Sequence, residues 1–387
     1  PKKKANQEQS HAQDERKPWR ILLLRDILGR WNRQRQQKYF VKFTHNFDVA
    51  RIELKMKMVN IAGIDIGEFP LLLAPMEDVS DPPFRALCKE RGADVVYTEF
   101  ISSEGLIRDA AKSVQKLDIY EKERPVGIQI FGANLDSMLR SVEIVEASKP
   151  DIIDINFGCP VKKVVSKGAG AGILRDIPLM VKLTKEMAKH TSLPITVKTR
   201  LGWDDSSIKI VEVAERLQDA GAKALSIHGR TRAQMYKGDA NWLPIAEVKN
   251  NQRMHIPIFG NGDVNSPEKA KLMRDEFGLD GAMIGRASIG NPWFFDEVKH
   301  FLASGTHAIA PNIEDRVEVA RRHLEMAIGW KGETQGVLET RRHYTNYFKG
   351  IPNFKPLRTR MVTSNESAGV FEVFNEILEQ FSSYETA

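Results

Sequence analysis

The sequence predicts an α/β fold, a (β/α)8 TIM barrel followed by a C-terminal helical domain. Eight short, β-rich apolar runs recur between residues 70 and 286. Each is followed by a polar turn and then, in most cases, by a segment with helical spacing, the crossover that parallel strands require. After residue 305 the strand pattern stops and helical periodicity alone continues. Eight such units in roughly 230 residues match the usual size of a barrel of this kind.

The runs cover 70–76, 93–100, 125–132, 151–158, 194–200, 224–229, 257–262 and 281–286. Most begin at Pro or at a small residue just after a helix-ending glycine, as after Gly92, Gly221 and Gly278. Amphipathic stretches at 135–147, 178–190 and 207–220 read as the intervening helices. Beyond the barrel, 314–329 is helical, with Val317, Ala320, Leu324 and Ala327 on one face, and helices follow at 337–348 and 370–381. The expected plan is a basic extension at 1–55, a barrel at 56–305 and a helical domain at 306–387. The extension has a polar Lys/Gln-rich start, a basic amphipathic helix near 18–37 and a possible strand at 39–43. Met56 and Met58 stand just ahead of the barrel, where a translation start is plausible.

Composition narrows the function classes. A 42% hydrophobic and 28% charged chain is that of an ordinary soluble globular protein. The longest apolar run near the start, Ile21 to Leu24, is too short for a signal peptide or membrane span, so a cytoplasmic location is expected. Two cysteines, Cys88 and Cys159, exclude a disulfide framework and a cysteine-based zinc site. Residues 1–55 hold 14 Lys and Arg against 6 Asp and Glu, and 316–360 hold 10 against 4. Two basic zones on a near-neutral body suggest a polyanionic partner or, equally, two solvated faces.

The strand ends carry the chemistry, as the catalytic face of a barrel requires. Run 1 ends in Ala74-Pro75-Met76, run 3 holds Gln129, and run 4 ends Asn156-Phe157-Gly158-Cys159-Pro160. Run 5 carries Lys198 and Arg200, run 6 ends His228-Gly229-Arg230, run 7 ends Asn261-Gly262-Asp263, and run 8 ends Gly285-Arg286. Scattered core polar residues would not gather repeatedly at one rim. Glycine-rich turns after runs 7 and 8, with Arg286, suit a phosphate. Gln129 offers a donor–acceptor amide and Lys198 a cation, which suit the polar edge of a bound ring that gains negative charge. Lys167, among Gly168, Gly170 and Gly172, lies on a loop beside Cys159 and is no Walker loop. Cys88 sits among apolar neighbours and reads as packing.

This set resembles the tRNA-dihydrouridine synthase family over roughly residues 60 to 355, with greatest similarity to its bacterial B-type branch. The carrying motifs are Ala-Pro-Met at 74–76 with Asp81, Phe84 and Arg85, Asn-x-Gly-Cys-Pro at 156–160, and Lys-Thr-Arg-x-Gly at 198–202. His228-Gly229-Arg230-Thr231-Arg232, continuing to Gln234, Tyr236, Gly238, Ala240 and Trp242, is the most distinctive. The resemblance implies FMN as cofactor, NADPH (or NADH) as reductant and tRNA as partner, with no metal, no membrane and a monomer. It places Pro75 and Met76 under the flavin ring, His228 at the cofactor, and Cys159 as the acid that protonates uracil C5 while C6 receives hydride. A specific uridine of the D-loop is the expected substrate. Ala74, Asn261, Gly262, Asp263 and Gly285 complete the expected cofactor set. Asn156 and Arg200 are expected at the base, with Lys167 nearby. Arg341, Arg342 and Lys349, interleaved with Tyr344, Tyr347 and Phe348, are the expected grip on the RNA backbone, the bland reading being a solvated basic face over a packed aromatic seam. The basic 1–55 extension departs from the bacterial pattern. Two other readings stand beside this one: an FMN barrel acting on a free pyrimidine, as dihydroorotate dehydrogenase does, and a non-catalytic RNA-binding barrel.

Overall fold

The computed structural model describes residues 58–382. The helix and strand expected within residues 1–55 lie outside the described residues. Two short strands, β1 (Asn60–Ile61) and β2 (Ile64–Asp65), form an antiparallel hairpin. Asn60 fastens it, donating from Nδ2 to Asp65 Oδ1 at 2.6 Å and accepting the Gly63 N–H at 2.6 Å.

The barrel strands are β3 (Leu71–Leu73), β4 (Val95–Tyr97), β5 (Ile101–Ser102), β6 (Val126–Phe131), β7 (Ile152–Asn156), β8 (Ile195–Arg200), β9 (Leu225–His228), β10 (Ile258–Asn261) and β11 (Gly281–Ile284). They form one parallel sheet in the order β4-β3-β11-β10-β9-β8-β7-β6-β5, which a β4–β6 pairing closes. The run read at 93–100 is interrupted after β4. There the Gln129 N–H donates to the side-chain oxygen of Thr98 at 3.1 Å rather than to a ladder carbonyl.

Helices follow the strands: α1 (Pro82–Glu90), α2 (Leu135–Ala147), α3 (Ile177–His190), α4 (Ile210–Asp219), α5 (Leu243–Lys249), α6 (Pro267–Asp275) and α7 (Phe294–Ser304). The side chains of Asp81, Asn134 and Asp176 accept the first-turn N–H groups of α1, α2 and α3. Proline in the first turn of α1, α3, α5 and α6 fits the position where a missing N–H costs nothing. Hairpin residues Val59, Ile61 and Ile66 pack with Leu72, Val95, Ile152, Ala224, Phe259 and Met283, so the lumen is a filled core.

The remaining helices are α8 (Ile313–Lys331), α9 (Glu333–Tyr347), α10 (Lys355–Thr363) and α11 (Ser367–Phe381). Their shared core includes Leu87 of α1. Phe84 stacks on His343 and His323 at centroid distances of 4.7 and 5.6 Å. Lys331 reaches Asp81 at 3.0 Å, Arg322 reaches Glu90, and the Gly290 N–H donates to His343 Nδ1 at 3.0 Å. The described part of the helical segment expected from residue 306 thus packs on the barrel within one compact unit. No helix among the described residues is long and apolar enough to cross a membrane.

Candidate active site

Strand register assembles the mouth. Gln129 stands level with Asp154, Asn156 with Lys198, and His228 with both Arg200 and Asn261. At the floor, Gln129 is fully buried. Its Nε2 donates to Asp154 Oδ2 at 2.6 Å and its Oε1 accepts Asn156 Nδ2 at 2.8 Å. A contact with a bound ring would draw on the one N–H and one lone pair these bonds leave. Asn156 Oδ1 in turn accepts the N–H groups of Gly158 and Cys159 at 3.0 and 2.8 Å. A chain of amides therefore runs from the barrel interior to the backbone of Cys159.

Asp154, which the sequence reading passes over, anchors that chain. Thr196 Oγ1 donates to its second oxygen at 2.5 Å. Burial pushes its carboxyl up to about 6, against the hydrogen bonds of Gln129 and Thr196 and the charge of Lys198. The available signal was its place two residues before Asn156, on the same strand face.

Cys159 is 92% shielded by the fold, being only 8% exposed, and sits beside Val164, Ala169, Phe100, Phe131 and Ala133. Its carbonyl accepts the Ala171 N–H at 2.9 Å, and Gly170 comes so near that a Cβ there would lie 2.9 Å from that carbonyl. Only glycine fits that turn. Burial pushes the thiol above its ordinary value, outweighing the nearby positive charges of Arg200 and Lys198. At neutral pH the thiol holds its proton, as a general acid must.

Beside it, from β8 onward, lies a group of cations. Lys198 Nζ donates to Asn261 Oδ1 at 3.0 Å, and Asn261 Nδ2 to the Met283 carbonyl at 2.8 Å. Burial and the neighbouring Arg200 pull Lys198 down to about 8. His228 is driven well below its ordinary value by burial and by Arg200, Lys198, Arg230 and Arg286, so its ring is neutral. Its Nε2 lies 3.3 Å from Arg230 Nη1. Arg230 and Arg286 both reach Asp263, at 2.6 and 3.0 Å, and the Ala240 N–H donates to the same carboxylate at 2.8 Å. The Asp263 side chain therefore holds the two arginines in place. Gly262 has φ 105°, and a Cβ there would meet the His228 ring at 2.8 Å. Gly285 lies against Ala74 and Met76, where a Cβ would stand 3.7 and 3.6 Å from their side chains, with Pro75 half-buried between those two residues.

Other expected residues are placed differently. Arg200 is 2% exposed; Nε donates to the Gly158 carbonyl at 2.7 Å, and Nη1 to Thr231 and Met235 carbonyls at 3.1 and 2.8 Å. Nη2 alone is left for a base, and Arg200 mainly ties the Cys159 loop to the loop after β9. Arg341 bonds Ser364 O and Asn365 Oδ1, and Arg342 reaches Asp78 at 3.4 Å. Tyr344, Tyr347, Phe348 and His343 are buried in the helical core and its junction with α1. The aromatic residues of α9 thus form a packed seam and do not lie at the surface between Arg341, Arg342 and Lys349. Lys167 and Lys349 are exposed.

On the β3–β5 side the rim is acidic. Glu77, Asp78 and Glu99 bring carboxylate oxygens within 4.8 Å of one another. Lys116 pairs with Glu77 at 2.6 Å and stands 3.6 Å from Glu99. Burial pushes Glu99 up to about 7, against Lys116, which pulls it down. A carboxyl with a raised folded value binds its proton more tightly in the fold, so stability falls as pH rises from the unfolded value through about 7. Glu99→Gln, neutral at every pH, should therefore show a more favourable Tm difference from the parent at pH 8 than at pH 5. The relative gain is at most on the order of 3 kcal/mol. Equal differences at the two pH values would show that Glu99 is not strained by ionisation.

Residues 72–382 match the family model described as dihydrouridine synthase (Dus). The chain belongs to the dihydrouridine synthase family. The match starts in β3 and ends just past α11, so the barrel and the helices that dock on it both lie within the family domain. Among relatives, tRNA-dihydrouridine synthase B of Pseudomonas putida is 36% identical over 324 residues, 82% of this chain and 96% of the relative. The probable tRNA-dihydrouridine synthase 1 of Synechocystis sp. is 38% identical over 307 residues, covering 78% of this chain and 85% of the relative. Solved structures share the fold alone. Histamine dehydrogenase from Rhizobium sp. 4-9 superimposes with a TM-score of 0.50 at 12% identity, and 2-naphthoyl-CoA reductase with 0.51 at 11%. These matches take in 71% and 63% of this chain but only 51% and 52% of those longer structures. As a member of the dihydrouridine synthase family the chain is an oxidoreductase, of the B-type branch that its motifs resemble.

Proposed function

We propose that this chain reduces one uridine of the tRNA D-loop to 5,6-dihydrouridine, with FMN as cofactor and NADPH (or NADH) as reductant. The observation that carries the reading is the placing of Cys159, its backbone held by Asn156, at the same strand ends as Lys198, His228 and Arg286. The donor set fits a phosphorylated flavin. Lys198, Arg200, Arg230 and Arg286 all bear on His228, while Asp263 is the carboxylate that pairs among them, so the mouth has surplus positive charge for an anion. Lys198 suits the ring edge where reduction places negative charge, and Arg286 with the Gly262 and Gly285 turns suits the phosphate.

FMN, when bound, supplies the route by which hydride from the nicotinamide reaches uracil C6. Cys159 Sγ–H gives its proton to C5, which completes the addition of two hydrogens across the double bond. Arg200 and Lys198 stabilise the thiolate left behind, which regains a proton from solvent. Asn156, oriented by Gln129 and Asp154, holds the Cys159 backbone and offers its amide to the base. The unprotonated imidazole of His228 can accept or donate a hydrogen bond without adding charge.

The test offers purified protein, NADPH and either tRNA lacking dihydrouridine or free uridine, with mass analysis of the nucleosides. The protein should be yellow, release FMN on denaturation, and form dihydrouridine in the tRNA alone. Equal reduction of free uridine would favour the free-pyrimidine reading. A colourless protein that cannot be reconstituted with FMN would overturn the flavin assignment.

A further inference from the structure

The rim of the barrel mouth is charged unevenly, and its basic side holds a group for which the reaction above has no use. Trp203 follows β8 directly, on the loop at the catalytic face. Two guanidinium groups lie over its ring: Arg175, from the loop after β7, at 3.8 Å and Arg232, from the loop after β9, at 4.6 Å. Three successive βα loops thus converge on one indole. Beside it is a surface cavity of about 270 Å³, whose lining includes Leu174, Arg175, Trp203, Ser207 and Lys209.

The cations of this group are not held in ion pairs among the described residues: neither Arg175, Arg232 nor Lys209 forms one, and neither do Lys162, Lys163 and Lys167 on the adjoining loop. Two of the nearest carboxylates in the sequence are engaged by neighbouring backbone and hydroxyl groups. Asp176 caps α3 through the Leu179 N–H at 3.0 Å, and Asp204 accepts from Ser206 and Ser207. Arg232 Nε is buried without a hydrogen-bond partner, an unusual state for a donor in a folded protein. A guanidinium stacked on an aromatic face keeps its N–H edge free and is already ordered, which lowers the entropy lost when it binds an oxyanion. The opposite rim instead gathers three carboxyl groups, those of Glu77, Asp78 and Glu99.

We infer that Arg175, Trp203, Arg232 and Lys209 form a binding subsite for backbone phosphate of the substrate RNA, so that the strand leaves the mouth over the β7–β9 rim. This inference rests on the tRNA reading proposed above. It moves the grip on the RNA from Arg341 and Arg342, which reach Ser364, Asn365 and Asp78, to cations that form no ion pair among the described residues. The apolar wall of the cavity, with Leu174 and Val213, suits the face of a ribose or a base next to that phosphate.

The test compares full-length Arg175→Ala/Lys209→Ala with Lys182→Ala/Lys185→Ala, which removes the same charge from the exposed outer side of α3. Binding of unmodified tRNA is measured from ~50 to ~200 mM salt. The rim variant should bind about tenfold more weakly, with a salt slope shallower by roughly one to two units, since each lost phosphate contact removes close to one. The α3 variant should stay near the parent. Equal weakening in both variants would reduce the effect to net charge and overturn the subsite. An unchanged rim variant, folded by its melting curve, would overturn it too. In both cases the parent protein still binds and modifies tRNA, so the proposed function stands. A parent protein that neither binds nor modifies tRNA would remove the function and the subsite together.

Discussion

Cys159→Ala is expected to lower dihydrouridine formation by roughly 10²-fold or more, the usual cost of losing a general acid. Flavin content and the rate of flavin reduction by NADPH should hardly change. The two half-reactions separate because the thiol bears on the base, whereas the residues suited to the flavin are Lys198, His228, Asn261 and Arg286. The backbone N–H of residue 159 can still donate to Asn156 in the variant, so the amide chain from Asp154 survives. Cys159→Ser should stay slow, because a hydroxyl at this buried position is a far weaker acid than the thiol. The sign of the pH dependence follows from the raised thiol value: the acid form persists through neutral pH, so activity falls only on the alkaline side. Lys198, near 8, contributes a second alkaline limb that should remain in the variant. Equal loss of both half-reactions in Cys159→Ala would show that the residue supports the flavin site and is not the proton donor.

What could be read in the chain follows from physics at two ranges. Each of β6, β7 and β8 opens on β-branched apolar residues, which marks it as a buried strand, and its polar residues gather towards the C-terminal end where the catalytic face of a barrel lies. Lys198, His228, Asn261 and Cys159 were legible on that ground. Asp154 was not, because its value depends on which residues of β6 and β8 stand level with it, and spacing along one strand does not contain that register. The surroundings of the α9 arginines were not legible for a related reason. Helical spacing says which side chains share a face but not which face is covered. The docking of α9 on α1 and α8 turns Tyr344, Tyr347 and His343 inward and brings Arg341 to Ser364 and Arg342 to Asp78. Helix α10 is not among the expected helices; its proline stands in the first turn, where it is compatible with a helix. The cluster on Trp203 joins three loops that are separated in sequence, and only the closed barrel brings them together.

Arg85→Met is expected to be the most destabilising of the changes considered, by about 3–5 kcal/mol, the usual consequence of breaking a buried ion pair on one side. Arg85 follows the N-cap Asp81 of α1, and its side chain is 1% exposed. Nε donates to Glu123 Oε2 at 2.6 Å, Nη1 to the Ser80 carbonyl at 2.9 Å and Nη2 to the Asp118 carbonyl at 2.7 Å. One side chain thus binds α1 to the segment that leads into β6. Glu123 is wholly buried, and burial pushes its carboxyl up even with Arg85 beside it. Without the arginine the carboxyl rises further, and the fold must then either protonate it or hold a bare charge. Because its folded value lies above the unfolded one, stability is lost as pH rises through the folded value, so the variant should be weaker at pH 8 than at pH 5. The drop in Tm should be on the order of 10 °C at pH 8. Arg85→Met with Glu123→Gln removes both charges and should recover part of the loss, most clearly at pH 8, while the Ser80 and Asp118 carbonyls remain without their donor. A double variant no more stable than the single one at pH 8 would assign the loss to those two carbonyls and not to the stranded carboxylate of Glu123.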